Sequence, residues 1–410
     1  MEPAAPTSTT WQRIVRVVEP HQGGRFAALD GYRAVAAIGV LVYHVAGNAK
    51  LTQGTAPLNA FLANLGNFGV AVFFLLSGFL LYRGFVFSAL TDEPGPRWFR
   101  FWRHRFLRIY PAYWVALLAF IALIGLKMNP TLGNLASIFG LVQIYRPLFG
   151  FAALSVAWTL CIEVSFYVAL PFIALGIQRG LGAAARTPKA RMQAQLLGLG
   201  IMVAVAYIYR ITIAAQATGP GDNQHLWLPN YLDWFALGMA LALAVVWRDM
   251  GRPLPRAVQV FADSGWACWV VAAMAYGILM MLRSGGEATA GGFGKETATE
   301  MCLRFFFNGT AAFFFLLPGI LSLREPDRMK GWLSALVPAY LGTISYGIYL
   351  WHKIWLDWMK GTQPEPGFAA SWGFWPTLAA VFALTVLSAS ASWFLIERPL
   401  LRFKDPRRRR

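Results

Sequence analysis

Ten stretches of this chain stay apolar for the length of a membrane crossing, and that feature governs what 410 residues of this kind can fold into. A crossing needs roughly 20 mostly apolar residues. The runs at 27–46, 66–87, 109–126, 155–177, 195–215, 230–247, 265–282, 303–323, 335–357 and 374–396 approach or exceed that length. With 57% hydrophobic and only 13% charged residues, too little polar surface remains to clothe so much apolar chain as a soluble globule. The expected fold class is all-α: a polytopic membrane protein of about ten transmembrane helices. Residues 133–149 form a shorter apolar piece ending at Arg146-Pro147, which predicts a re-entrant or interfacial segment rather than an eleventh crossing.

A formal charge of +17 raises the question of nucleic acid, and the placement of the charges answers it. With a cytosolic N-terminus, one face collects Arg13, Arg16 and Arg25, the cluster from Arg97 to Arg108, and the loops from Arg179 to Arg191, Arg248 to Arg256 and Arg324 to Lys330. The tail from Arg398 to Arg410 joins them. The opposite face holds little more than Lys50, Lys127, Arg146, Arg283, Lys295 and Lys360. This alternation follows the positive-inside rule, places both termini in the cytosol, and leaves no charge that needs a nucleic-acid partner. The first residues lack the basic, apolar and small-residue order of a cleaved leader, so 1–26 is expected to be a retained cytosolic tail. Residues 27–400 then form one membrane domain and 401–410 a basic cytosolic tail. Cys161, Cys268 and Cys302 lie in apolar runs at spacings that suggest neither a metal site nor a disulfide framework.

Ionisable side chains at membrane depth cost several kcal/mol, so each one is a candidate for function. In the first run, LDGYRAVAAIGVLVYH, Asp30, Arg33 and His44 fall within about 60° of helical arc. Arg33 and His44 differ by only about 20° in angle and about 16 Å in height. That stripe suits a long anionic ligand entering from inside, with a cation at the mouth and an imidazole deeper. A neutral His can take a proton from a hydroxyl, and it can equally be a structural hydrogen-bonding group between helices. Glu163 lies in WTLCIEVSFY, about 12 Å from the outer end of its run, and His352 ends ISYGIYLWH about 22 Å up an outward-running one. The three are therefore expected in one outer-half layer, as a base with its orienter or as a structural network.

Asp233, in LPNYLDWFALG, either helps bind a polar acceptor or caps its helix through its carboxylate. In RWFRFWRHRFLRIYP, Arg105 and Arg108 are i,i+3 neighbours whose guanidinium forks would face one way and grip adjacent phosphates at the cytosolic surface. The bland reading of the same pair is a headgroup anchor.

Taken in order, these segments resemble the acyltransferase type 3 family of integral-membrane sugar and glycolipid O-acyltransferases, over nearly the whole chain. Asp30, Gly31, Arg33 and His44 match its opening motif, Phe73 to Leu81 its second-helix signature, and Arg105-Phe-Leu-Arg108 its Arg-x-x-Arg loop. WTLCIEVSFY matches its glutamate helix, ISYGIYLWH its late histidine helix, and Glu397-Arg398-Pro399 its terminal motif. The resemblance implies an O-acyltransferase of a bacterial-type plasma membrane. It would move an acyl group from cytosolic acyl-coenzyme A, acetyl-coenzyme A included, to a glycan or glycolipid hydroxyl outside. It also links the residues matching His44, Arg105 and Arg108 to catalysis and donor binding. Two departures stand out. An Arg that often precedes the sixth-span aspartate by two residues is here Tyr231, and no hydrolase-like domain is fused to the membrane domain, so direct acylation of the acceptor is expected.

The expected site is thus His44 as base with Glu163 orienting it, and Arg33, Arg105 and Arg108 on the donor. His352, Asp30, Asp233 and Trp158 are secondary or acceptor-binding candidates. No metal and no permanently bound cofactor is expected; the partners are acyl-coenzyme A, the acceptor and the bilayer. An acyl-enzyme route is less favoured, because no Ser or Cys is marked by position as nucleophile. The rival of another class is a secondary transporter or flippase of a polar lipid or sugar, which would bury similar groups. Against it stands the absence of an inverted repeat and of paired broken helices.

Overall fold

The computed structural model describes residues 28–401 apart from 54–55, 92, 127, 148–149, 152, 217–222, 285–296, 322–327 and 363–364. The expected tails, 1–26 and 401–410 save Leu401, lie outside the described residues. The chain is helical: α1 (Ala28–Asn48), α2 (Pro57–Thr91), α3 (Trp98–Leu123), α4 (Leu132–Phe139), α5 (Trp158–Gly176), α6 (Pro188–Ala215), α7 (Leu232–Asp249) and α8 (Arg256–Asp263). There follow α9 (Gly265–Ser284), α10 (Ala298–Leu321), α11 (Arg328–Leu333), α12 (Leu336–Thr343), α13 (Ser345–Lys360), α14 (Phe374–Ser392) and α15 (Arg398–Leu401). Among the described residues the only strands are the two-residue pair Gly361–Thr362 and Glu365–Pro366.

Eight described helices, α2, α3, α5, α6, α7, α9, α10 and α14 with its extension, are long and apolar enough to cross a membrane. This is the all-α polytopic architecture expected. The other two apolar runs take different forms. α1, at 21 residues, is about 30 Å long; Asp30, Arg33 and His44 lower its apolar character. The run 335–357 is interrupted at Ile344 into the short α12 and the 16-residue α13. The break lets α12 lie directly on the start of α1, where a Cβ on Gly342 would stand 1.9 Å from the Asp30 carbonyl oxygen.

The described part of 133–149 forms no crossing helix. α4 has eight residues and is followed by a 3-10 turn at Gln143–Tyr145. Tyr110, Trp114 and Tyr113 of α3 donate to the carbonyls of Gly140, Phe139 and Ile138, holding the segment along the middle of that helix. Tyr145 then meets Ser165 of α5 at 2.7 Å.

α2 is the hub. Its Gly78 and Gly238 of α7 face each other's helix so closely that added Cβ atoms would stand 2.3 Å from the Phe235 carbonyl oxygen and 2.0 Å from that of Leu75. Reciprocal small residues of this kind let two backbones approach without a solvent-driven core. Large rings fill the adjoining space: Phe235 stacks on Phe74 at 4.7 Å and on Phe166 at 3.9 Å. The outer surface carries exposed apolar side chains such as Met281, Trp375, Leu387 and Leu395, as a lipid-facing surface requires.

Candidate active site

α3 begins at Trp98, well before the apolar run at 109, because the aromatics between its arginines give the early turns a buried face. Trp98 and Trp102 pack on Phe172 of α5, and Phe101 packs on Phe85 of α2. The Trp102 indole donates to the Tyr167 carbonyl at 2.9 Å and fixes α3 against α5. One and two turns further on, Arg105 and Arg108 face inward together, as three-residue spacing on a helix dictates.

They line a cavity of about 110 Å³ between α1, α2, α3, α5 and α13, and Arg33 lines it from α1. Glu163 is the one carboxylate on its wall among the described residues. Both of its oxygens are bonded by neutral donors, Ser77 at 2.9 Å and the Tyr167 hydroxyl at 3.0 Å. Arg108 is steadied from behind by buried Glu397 at 3.9 Å, and Arg33 by Asp30 at 3.5 Å. The Arg105 Nε is buried without a hydrogen-bond partner. Three guanidinium groups against one wall carboxylate make this an anion-attracting cavity with donor capacity to spare.

Another wall is made by α13. Tyr346 donates to the Ile109 carbonyl at 2.8 Å, and the Tyr349 hydroxyl lies 2.8 Å from Thr159 Oγ1. Tyr349 is also in ring contact with His352, one turn further along, at 5.9 Å. His352 is wholly buried, and its Nε2 lies 3.1 Å from His44 Nδ1. His352 Nδ1 is 3.0 Å from the Ile348 carbonyl, and His44 Nδ1 is 2.9 Å from that of Val40. A carbonyl can only accept, so each Nδ1 carries the proton, an assignment made from the network. His352 Nε2 is then an acceptor for His44. The half-buried His44 is left with a lone pair on Nε2, which has no partner among the described residues. That is the tautomer a base needs.

The structure brings His44 and His352 together and sets Glu163 apart from them. Glu163 does not orient His44; the Val40 carbonyl and His352 do, while Glu163 shares the arginine cavity. Glu163 lies one turn along α5 from Tyr349's partner Thr159, which sets it beside the arginines. Arg105 and Arg108 are likewise part of an internal wall and not surface contacts, because the helix of the span already includes them.

Asp233 does not line this cavity; it stands in the first turn of α7, where its carboxylate meets backbone N–H groups of that turn and a cation from the neighbouring helix. Its carboxylate is held by Arg210, which is wholly buried, in two bonds of 2.9 and 2.6 Å. Arg210 also donates to the side chain of Asn230 at 3.0 Å and to its carbonyl, and stands 3.9 Å over the Phe305 ring. The cation missing at Tyr231 is thus supplied to Asp233 from α6. Trp158 is half-buried at the start of α5, 5.8 Å from the Tyr231 ring, and lines no part of the cavity.

Sequence reasoning missed Arg210, Ser77, Tyr167 and the bracing role of Glu397. Arg210 carried a usable signal, a lone cation inside an apolar run. Ser77 was the lone hydroxyl in FFLLSGFLL.

Comparison with known proteins places these features in a family. An acyltransferase domain family matches residues 26–396. The acyltransferase MdmB of Streptomyces mycarofaciens is 30% identical over 250 residues, 55% of this chain and 60% of its own. The peptidoglycan O-acetyltransferase OatA of Listeria monocytogenes is 25% identical over 91% of this chain and 55% of its own length. For a putative peptidoglycan O-acetyltransferase of Bacillus subtilis, YrhL, the figures are 26%, 91% and 54%. The chain thus spans somewhat more than half the length of the curated relatives it matches. No solved structure matches it.

Proposed function

Since the chain belongs to this acyltransferase family, matched from residue 26 to residue 396, we propose that it moves an acyl group from cytosolic acyl-coenzyme A to a hydroxyl of a cell-envelope glycan or glycolipid on the outer side. The observation that carries the reading is the arrangement along α1: three arginines around a cavity near one end and a histidine pair about 16 Å further on. Two matched relatives are named for O-acetylation of peptidoglycan, which points to a cell-wall glycan as acceptor class.

In this reading the donor's phosphates lie against Arg105 and Arg108, Arg33 guides its arm, and the thioester lies beyond Tyr349 near His44. His44 Nε2 takes the acceptor's hydroxyl proton as the oxygen attacks the thioester carbonyl. The C–O bond forms, the C–S bond breaks, and the departing thiolate takes the proton from the imidazolium. His352 holds the ring in the required tautomer, and Glu163 fixes Ser77 and Tyr167 in the wall.

Removing the Arg105 and Arg108 side chains together is expected to weaken binding of labelled acyl-coenzyme A to purified protein by about a hundredfold or more. Each charge-assisted bond is worth roughly 1.5–3 kcal/mol, and about 1.4 kcal/mol is a factor of ten. Arg105→Ala alone leaves Glu397 with its cation and keeps the test readable if the double variant is unstable. Unchanged donor affinity in both would remove these residues from the donor site.

A further inference from the structure

A second cleft lies at the end of the bundle where α2 stops, α5 ends in a π-turn and α6 begins. Its volume is about 330 Å³, and Arg179, Arg186, Arg191, Gln178 and Gln195 line it along with small residues. The close approach of α5 and α6 that forms it depends on Gly198, where a Cβ would stand 2.5 Å from the Ile177 side chain.

Three properties separate this cleft from an ordinary belt of headgroup anchors. Among the described residues no Asp or Glu lines it, so none of them neutralises its positive charge from within. Arg179 and Arg186 are exposed and form no ion pair or hydrogen bond with another described residue, while Arg191 donates its Nε to the Ala185 carbonyl at 3.4 Å. Gln195 is 2% exposed, yet it lines the cleft. Its Oε1 accepts from the Tyr82 hydroxyl, and its amide Nε2 has no partner among the described residues. A surface anchor has no use for an amide donor on a nearly buried side chain held in place by a tyrosine. An anion seated between the arginines does.

We propose that this cleft is a second anion site, which takes a phosphate group. Along the helices shared with the arginine cavity it lies about 12 Å beyond Leu81, at Ala89, and about 16 Å beyond Tyr167, at Gln178. The phosphate could belong to the far, nucleotide end of a donor already held at Arg105 and Arg108, or to the headgroup of an anionic lipid. The chemistry is shared and the sources separate by experiment. The site itself does not depend on the acyl-transfer reading, since its test is binding and not turnover.

The full chain is placed in phosphatidylcholine nanodiscs and titrated with adenosine 3′,5′-bisphosphate; in parallel, retention of phosphatidylglycerol is measured by native mass spectrometry. Wild type is compared with Arg179→Gln/Arg186→Gln, which changes exposed side chains, and with Gln195→Glu, which keeps the oxygen that Tyr82 bonds and puts a negative charge in the cleft. At least one probe is expected to bind wild type and to bind both variants about tenfold more weakly. Loss of the bisphosphate identifies the nucleotide source, and loss of phosphatidylglycerol identifies the lipid. Arg105→Ala/Arg108→Ala protein should keep whatever share of binding the cleft provides. Binding unchanged in both cleft variants, absent in wild type, or lost only when Arg105 and Arg108 are removed would overturn the proposal.

Discussion

His44→Ala is expected to lower acyl transfer about a thousandfold in membranes supplied with labelled acyl-coenzyme A, with the protein still folded and inserted. A positioned base contributes roughly 10²–10⁴ in rate, and no other group near the free Nε2 replaces it. His352→Ala should cost less, about tenfold, because the Val40 carbonyl still holds the His44 Nδ1 proton at 2.9 Å when the second imidazole is gone. Donor affinity should be nearly unchanged in both, since neither histidine lines the arginine cavity. Transfer undiminished by His44→Ala would remove it as the base. A larger loss from His352→Ala than from His44→Ala would exchange their roles.

Arg210→Ala should be the most destabilising substitution away from the site, by about 3–5 kcal/mol, because it strands a buried carboxylate. Asp233 is 4% exposed, and Arg210 donates a hydrogen bond to each of its carboxylate oxygens. The alternative of a charge facing lipid or a dry interior is costlier than in a soluble protein. Adding Asp233→Asn to Arg210→Ala should recover part of the loss, since a neutral amide is cheaper to bury than a carboxylate. Thermal unfolding in detergent reads both effects. An Arg210→Ala protein as stable as wild type would show that the pair is not the brace between α6 and α7 inferred here.

How far the sequence was legible differed from residue to residue for physical reasons. Apolar run length located the eight long helices, since a bilayer sets the minimum and composition reports it directly. The meeting of His44 and His352 was accessible as well, because counting 1.5 Å per residue along two outward-running helices places both imidazoles near one depth. The same count misplaced Glu163. It put Glu163 level with His44, whereas Glu163 lines the same cavity as Arg33, Arg105 and Arg108. Which side chains of neighbouring helices meet leaves no mark in hydropathy.

Arg105 and Arg108 were seen as a pair, but reading apolar run length alone ended the span at residue 109 and so put them in a loop. Their interleaved aromatics, Phe101 and Trp102, were the sign that the helix continues. Arg210 shows the converse: a single cation in the run 195–215 was legible, but its partner Asp233 lies on the next helix. Only packing distinguishes an ion pair there from a helix cap. Glu397 matched a motif in sequence, and its use, steadying Arg108 across the bundle, is visible only once α3 and the end of α14 are side by side.

The central claim is that a donor held at the arginines on the cytosolic side delivers its acyl group to an acceptor served by His44 on the other. Sealed inside-out vesicles test it most directly, with labelled acyl-coenzyme A added only to the exposed cytosolic face and glycan acceptor present only in the lumen. The predicted result is labelled lumenal acceptor with wild type, and none above background with His44→Ala or Arg105→Ala/Arg108→Ala. Labelling that requires acyl-coenzyme A in the lumen, or that proceeds equally with those variants, would contradict the account.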